Sequence, residues 1–157
     1  MSTGVLFVCL GNICRSPTAE GLFRHRVQQA GLDSHVRIDS CGTGSWHVGQ
    51  PPDPRAVEAA AEHGFDISGL RARQLCAADY RQFDYLLAMN EDNLAVIERF
   101  KPLDSSVRFI GLATHFASNH AHLAVPDPYF SGGFVRVLEF LEDAMQGLMH
   151  HLAGELR

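Results

Sequence analysis

The chain has 157 residues, enough for a single domain spanning residues 1–157 with a substantial core and no need of disulfide or metal staples. Apolar residues make up 46% and charged residues 20%, which excludes a disordered polyelectrolyte. The formal charge of -5 excludes a general electrostatic grip on nucleic acid or on anionic membrane, so any anion site must be local.

In chain order, apolar strand-like runs alternate with helical patterns, the signature of an α/β protein. Val5 to Val8 form a continuous apolar run, as expected of a parallel strand covered on both faces. Ser16 and Pro17 read as N-cap and first residue of a helix reaching Gln29, with Leu22, Phe23, Val27 and Ala30 inward and Gly31 as its stop. Val36 to Asp39 is a second strand. The glycine-rich stretch from Ser40 to Pro54 is a functional loop, and a helix follows over Pro54 to His63. A third strand is expected at Phe83 to Met89, a helix capped by Asn90 over Glu91 to Phe100, and a fourth strand at Val107 to Ile110. After another long loop, the last helix runs from about Gly133 to Leu152, with Phe134, Val137, Leu138, Leu141, Ala144, Met145 and Leu148 on one broad apolar face. The expected fold is an open four-stranded parallel sheet with helices on both faces. Ligands bind such sheets at the carboxyl ends of the strands.

The first of those ends reads Cys9-Leu10-Gly11-Asn12-Ile13-Cys14-Arg15-Ser16-Pro17. A cysteine six places before an arginine arises by chance about 0.3 times in a chain of this composition, so context must decide. Here Cys9 ends a buried strand, Gly11 permits a left-handed turn, and a helix begins at once. Backbone N–H groups of such a loop form an anion cradle, and Arg15 adds a fork that fits two phosphate oxygens. The same environment favours the thiolate form of Cys9, and the Ser16 hydroxyl can stabilise it further. The loop is not a nucleotide P-loop, because the only lysine is Lys101. A thiolate attacking a phosphoester also needs an acid for the leaving oxygen. Asp127 fits, in a segment stiffened by Pro126 and Pro128, with Tyr129 and Phe130 able to flank a flat ring.

At these residues the sequence resembles the low-molecular-weight protein tyrosine phosphatases over nearly its whole length. The resemblance is carried by Val5 to Pro17, by Asp39-Ser40 with Gly42, by Trp46 with Val48-Gly49, by Asp53-Pro54-Arg55-Ala56, by Arg71-Ala72-Arg73-Gln74 and by Asp127-Pro128-Tyr129. It implies phosphotyrosine hydrolysis through a phosphocysteine intermediate, without metal or other cofactor. Cys9 is then the nucleophile, Arg15 the phosphate clamp, and Asp127 the acid that becomes the base for water. Leu10, Gly11, Asn12, Ile13, Cys14 and Ser16 complete the phosphate loop, Ser40 supports it together with Asn12, and Trp46, Tyr129 and Phe130 wall the substrate cleft.

The apolar Ile13 favours phosphotyrosine, because relatives specialised for phosphoarginine carry threonine there. The resemblance also implies that Cys14 can form a disulfide with Cys9 and shield it from over-oxidation. Three departures bear on the site. Leu70 stands where many relatives have a histidine that orients the loop asparagine, Asn90 replaces an aspartate, and Cys41 replaces a small residue. Arsenate reductase chemistry, with Cys41 and Cys76 as relay thiols, and a non-catalytic phosphate-binding module are the alternative readings. His115, His120 and His122 lack metal-site spacing and are read as a variable surface loop. Expected partners are phosphotyrosine-containing proteins, with a tyrosine kinase among the candidates, and neither nucleic acid nor membrane. The expected location is cytoplasmic, as a monomer or weak homodimer.

Overall fold

The computed structural model describes residues 2–156. Four parallel strands, β1 (Thr3–Cys9), β2 (Val36–Gly42), β3 (Tyr85–Ala88) and β4 (Phe109–Leu112), form one sheet in the order β2-β1-β3-β4. The strand ending in Cys9 is thus central. Its side chains alternate between two apolar layers, as the two-residue strand period requires. Val5, Phe7 and Cys9 face helices α1 (Arg15–Gln29), α2 (Pro54–Glu62) and α5 (Phe134–Glu155), whereas Leu6 and Val8 face the short α3 (Asp79–Gln82) and α4 (Glu91–Arg99). Among the described residues, no helix is long and apolar enough to cross a membrane.

The expected fold class and element order hold, with local corrections. Strand β2 runs three residues beyond Asp39 because pairing with β1 continues to Cys9↔Gly42, which draws Ser40 and Cys41 out of the expected loop into the sheet. β3 is shorter than expected, and β4 lies two residues later because the register Tyr85↔Phe109 is set by Arg108 N–H and Phe109 N–H donating to the Asp84 carbonyl. Ser16 does not cap α1; the helix begins at Arg15 after Cys14, and the Ser16 hydroxyl turns toward Cys9 instead. Ala30 is an exposed C-cap, not a core residue, while Gly31 at φ +70° does end the helix. Helix α3 and a 3-10 turn at Ala113–Phe116 lacked the apolar periodicity that would have marked them. Asn90 caps α4 as expected, its side chain accepting from Asn93 N–H at 2.9 Å.

Seventeen residues, 117–133, separate the 3-10 turn from α5 without regular structure. They are nevertheless tied down. Asp143 on α5 accepts hydrogen bonds from the N–H groups of Ser118 (3.0 Å), Asn119 (2.9 Å) and His120 (2.9 Å), and from the His120 ring (2.8 Å). His120 therefore serves as a structural anchor within the loop read as variable surface, and its ring lies 4.2 Å from that of Phe140 between centroids. Although burial pushes the Asp143 carboxyl up, the hydrogen bonds from Ser118, His120 and Asn119 prevail and bring it down to about 2. The depressed value stabilises the fold above the ordinary carboxylate range, and that contribution fades as pH falls from about 4 toward 2. Asp143→Asn is expected to remove this component, so that in acid titrations followed by circular dichroism its stability deficit shrinks below pH 4.

Helix α5 approaches the 3-10 turn so closely that a Cβ at Gly147 would overlap the Phe116 carbonyl. Gly147→Ala is expected to destabilise the protein by about 3 kcal/mol in urea unfolding, because a backbone contact cannot yield as a side chain can.

Candidate active site

The segment between β1 and α1 closes on itself around the Cys9 sulfur. The turn is made not by Gly11 but by Asn12, whose φ of +58° lies in the left-handed region that asparagine tolerates better than most residues. A second constraint comes from β2: a Cβ at Gly42 would lie 2.7 Å from the Leu10 carbonyl oxygen, so the loop rests directly on that glycine's backbone.

The Asn12 side chain is buried and fully engaged. Its Oδ1 accepts from Arg73 N–H at 3.0 Å, and its Nδ2 donates to Ser16 Oγ at 2.8 Å and to Ser40 Oγ at 3.0 Å. Because the Arg73 N–H can only donate, the amide has one orientation and both serine oxygens must accept from it. The Ser40 hydroxyl proton then goes to Glu20 Oε1 at 2.7 Å. The Ser16 proton is left for Cys9 Sγ at 2.9 Å, with the Cys41 carbonyl farther away at 3.3 Å. Asn12 N–H also donates to Cys9 Sγ at 3.3 Å. Two donors thus converge on the sulfur, an arrangement that suits a thiolate. Burial pushes the Glu20 carboxyl up from its ordinary value, opposed by the Ser40 hydrogen bond and by Arg24, which pairs with Glu20 at 2.8 Å. Leu70 packs on the core, and the task of orienting Asn12 falls to Arg73 N–H, so the network is complete without a histidine.

Arg15 is buried at the start of α1, only 3% exposed. Its guanidinium reaches Asp127 Oδ2 at 3.5 Å and the Val125 carbonyl at 3.5 Å. Cys9, Arg15 and Asp127 therefore line one cleft of about 140 Å³, together with Leu10, Gly11, Ile13 and Cys14 on its floor and Trp46, Tyr129 and Phe130 at its rim. Trp46 and Phe130 are largely exposed, as rim residues are. Asn12, Ser16 and Ser40, expected as members or supports of the phosphate loop, do not line the cleft; their side chains stand behind the loop, where the Asn12 amide joins both serines.

Two residues join the site beyond those expected, one lining the cleft and one bracing it. His47 lines the cleft against Gly11, its ring 6.2 Å from that of Tyr129. Arg55 pairs with Asp53 at 2.8 Å and donates to the Tyr129 carbonyl at 2.9 Å, so the start of α2 holds the segment after Asp127. The Asp53-Pro54-Arg55 run was the available clue. Burial, reinforced by Asp53, pushes the Cys14 thiol up to about 12, so it stays protonated beside Cys9. Cys41 is buried in the opposite layer and Cys76 is exposed elsewhere; neither lines the cleft, which removes the thiol relay that arsenate reduction needs. Among the described residues, no group of three or more metal-ligating side chains is assembled.

The family model for low molecular weight phosphotyrosine protein phosphatase matches residues 4–157. The chain belongs to this family. It is accordingly an enzyme of the protein-tyrosine-phosphatase class. A low molecular weight phosphotyrosine protein phosphatase of Schizosaccharomyces pombe is 42% identical over 151 residues, covering 92% of this chain and 96% of the yeast protein. The crystal structure of YfkJ from Bacillus subtilis aligns with a TM-score of 0.92 at 32% identity, covering 100% of this chain and 98% of that one. A Drosophila arginine phosphatase is also similar, with a TM-score of 0.88 at 31% identity over 94% of this chain and 96% of that one.

The loop's dependence on Asn12 is measurable apart from activity. Asn12→Ala is expected to lose about 3 kcal/mol in chemical denaturation, from unpaired buried partners and left-handed strain. Asn12→Gly, which relieves the strain alone, should recover about 1 kcal/mol of that loss.

Proposed function

We propose that residues 1–157 form one phosphatase domain that hydrolyses phosphotyrosine in proteins through a phosphocysteine intermediate, without a metal ion. The reading rests on one observation: a doubly hydrogen-bonded sulfur, a buried guanidinium and a carboxylate share a single cleft with aromatic walls. In the first step the Cys9 thiolate attacks phosphorus in line with the phenolic oxygen. A sulfur–phosphorus bond forms, the phosphorus–oxygen bond breaks, and protonated Asp127 gives its proton to the departing phenolate. Arg15 exchanges its contact with Asp127 for two phosphate oxygens, and the loop N–H groups hold the remaining charge. In the second step the Asp127 carboxylate takes a proton from water, which attacks the phosphocysteine and releases phosphate and the Cys9 thiolate.

No metal is required, because Arg15 and the backbone amides supply the positive charge. A cleft between Trp46 and Tyr129 suits a phenyl phosphate, which projects its phosphorus farther than a serine phosphate can. The family's substrates are phosphoproteins, and a tyrosine kinase would be one such partner in the cytoplasm. Ile13 sets phosphotyrosine ahead of phosphoarginine, although a similar structure carries the name arginine phosphatase.

The deciding assay is phosphate release from a phosphotyrosine peptide in EDTA. Wild type is expected to turn over and Cys9→Ser to be inactive while still binding the peptide. Asp127→Asn should lower kcat/KM by about 100-fold or more, and phosphoarginine should be the poorer substrate. Inactive wild type with tight peptide binding would leave a phosphate-binding module as the correct account.

A further inference from the structure

Asp127 lies in the middle of the 117–133 segment, whose length alone gives a carboxylate no defined position. Downstream, Arg55 holds the Tyr129 carbonyl, and Tyr129 N–H donates to Asp127 Oδ1 at 3.1 Å. Upstream, the chain must be carried from the 3-10 turn to Val125, whose N–H donates to the Met89 carbonyl at 2.8 Å. Two ties guide this half. Thr114 bonds His122 N–H through its carbonyl (3.1 Å) and the Leu123 carbonyl through its hydroxyl (2.5 Å). The other tie is Asp143, which gathers three consecutive N–H groups and the His120 ring with one carboxylate.

The place of Asp143 in the chain gives this tie a particular consequence. It sits on α5, the element that follows the segment, and it grips residues 118–120, where the segment begins. One side chain thus closes the neck of the loop that carries Asp127. Four hydrogen bonds to a single carboxylate are more than helix solubility or packing needs, and charge-assisted bonds of this kind are the strong ones. Nothing in the cleft touches Asp143, so any effect on turnover must pass through the loop.

We infer that Asp143 is a positioning residue for the Asp127 acid: by clamping the neck of the 117–133 loop to α5, it sets the reach of the Asp127 carboxyl toward the leaving oxygen. The inference rests on the acid role proposed for Asp127. It separates two parts of the site, because the Cys9 loop is held by β1, α1, β2 and Arg73, all outside the segment, and Arg15 meets the segment at Asp127 and at Val125, which has its own tie to Met89. Loss of the clamp should therefore impair protonation of the leaving group and spare phosphate binding.

The test compares kcat/KM, which reports events up to the phosphocysteine, for a substrate that needs the acid and one that does not. Phenyl phosphate leaves poorly without a proton, whereas 2,4-dinitrophenyl phosphate leaves readily. Asp143→Ala and the milder Asp143→Asn, which keeps an acceptor oxygen at the neck, are each made alone and in an Asp127→Asn background. Inhibition by inorganic phosphate reports the Cys9 loop. Expected are losses of about 10-fold for Asp143→Ala and less for Asp143→Asn on phenyl phosphate, a part of what a general acid supplies. Losses under 2-fold are expected on 2,4-dinitrophenyl phosphate, with unchanged phosphate inhibition and no further loss when Asp127 is already Asn. Equal losses on both substrates, or additive losses in the double variants, would overturn the clamp while leaving Asp127 as the acid. If Asp127→Asn itself fails to discriminate between the substrates, the acid assignment and the clamp fall together.

Discussion

The architecture of the cleft depends on one buried amide. Asn12 holds the loop in a left-handed turn with its backbone and, with its side chain, joins the strand-end serine of β2, the first turn of α1 and the backbone at Arg73. Because an N–H of the main chain can only donate, it orients the amide, and the amide in turn orders both hydroxyl protons. That order ends at a sulfur on one side and at a carboxylate on the other. Networks of this kind in a water-poor interior are costly when incomplete and rigid when complete. Here the four residues Cys9, Asn12, Ser16 and Ser40 and the distant Glu20 all find partners. The sulfur is thereby placed by residues whose side chains do not line the cleft.

This explains a division of labour in the loop. Residues whose side chains point into the cleft, such as Leu10 and Ile13, are apolar and shape it, while polar side chains point backward and hold it. The cleft-facing surface of the loop is otherwise left to main-chain groups and to Arg15. Gly42 completes the arrangement from beneath, since any side chain there would strike the Leu10 carbonyl. The sheet therefore acts on the site through a contact of backbone against backbone, the stiffest kind a protein has.

Much of this was legible in the sequence because it is local. A continuous apolar run, a cysteine, a short loop and a serine-proline step lie within thirteen residues, and their order gave both the strand-loop-helix unit and the positions of Cys9 and Arg15. Serine before proline is a good helix cap in isolation, but the hydroxyl of Ser16 finds a stronger use at the Cys9 sulfur. Gly11 was the natural residue for a left-handed turn, yet Asn12 takes it because its side chain gains three partners. What could not be read depends on contacts across long stretches of chain. His120 meets Asp143 at a separation of 23 residues, and Arg55 meets the Tyr129 carbonyl at a separation of 74. The ends of β2 and β4 likewise follow from pairing register, which no strand carries within itself.

The strand order β2-β1-β3-β4 places the first strand of the chain at the middle of the sheet, flanked by strands made later. A ribosome delivers residues in sequence, so Cys9 emerges early and waits for its surroundings. The Asn12 turn needs Ser40 and then Arg73, the Arg15 contact needs Val125, and the α1 side of the core needs α5. A nascent or truncated chain therefore carries the sulfur and its nearest donors, Ser16 and Asn12, but not the distant partners that hold those donors in place. The setting of Cys9 is therefore finished only late, once Arg73, Val125 and α5 have all taken their places.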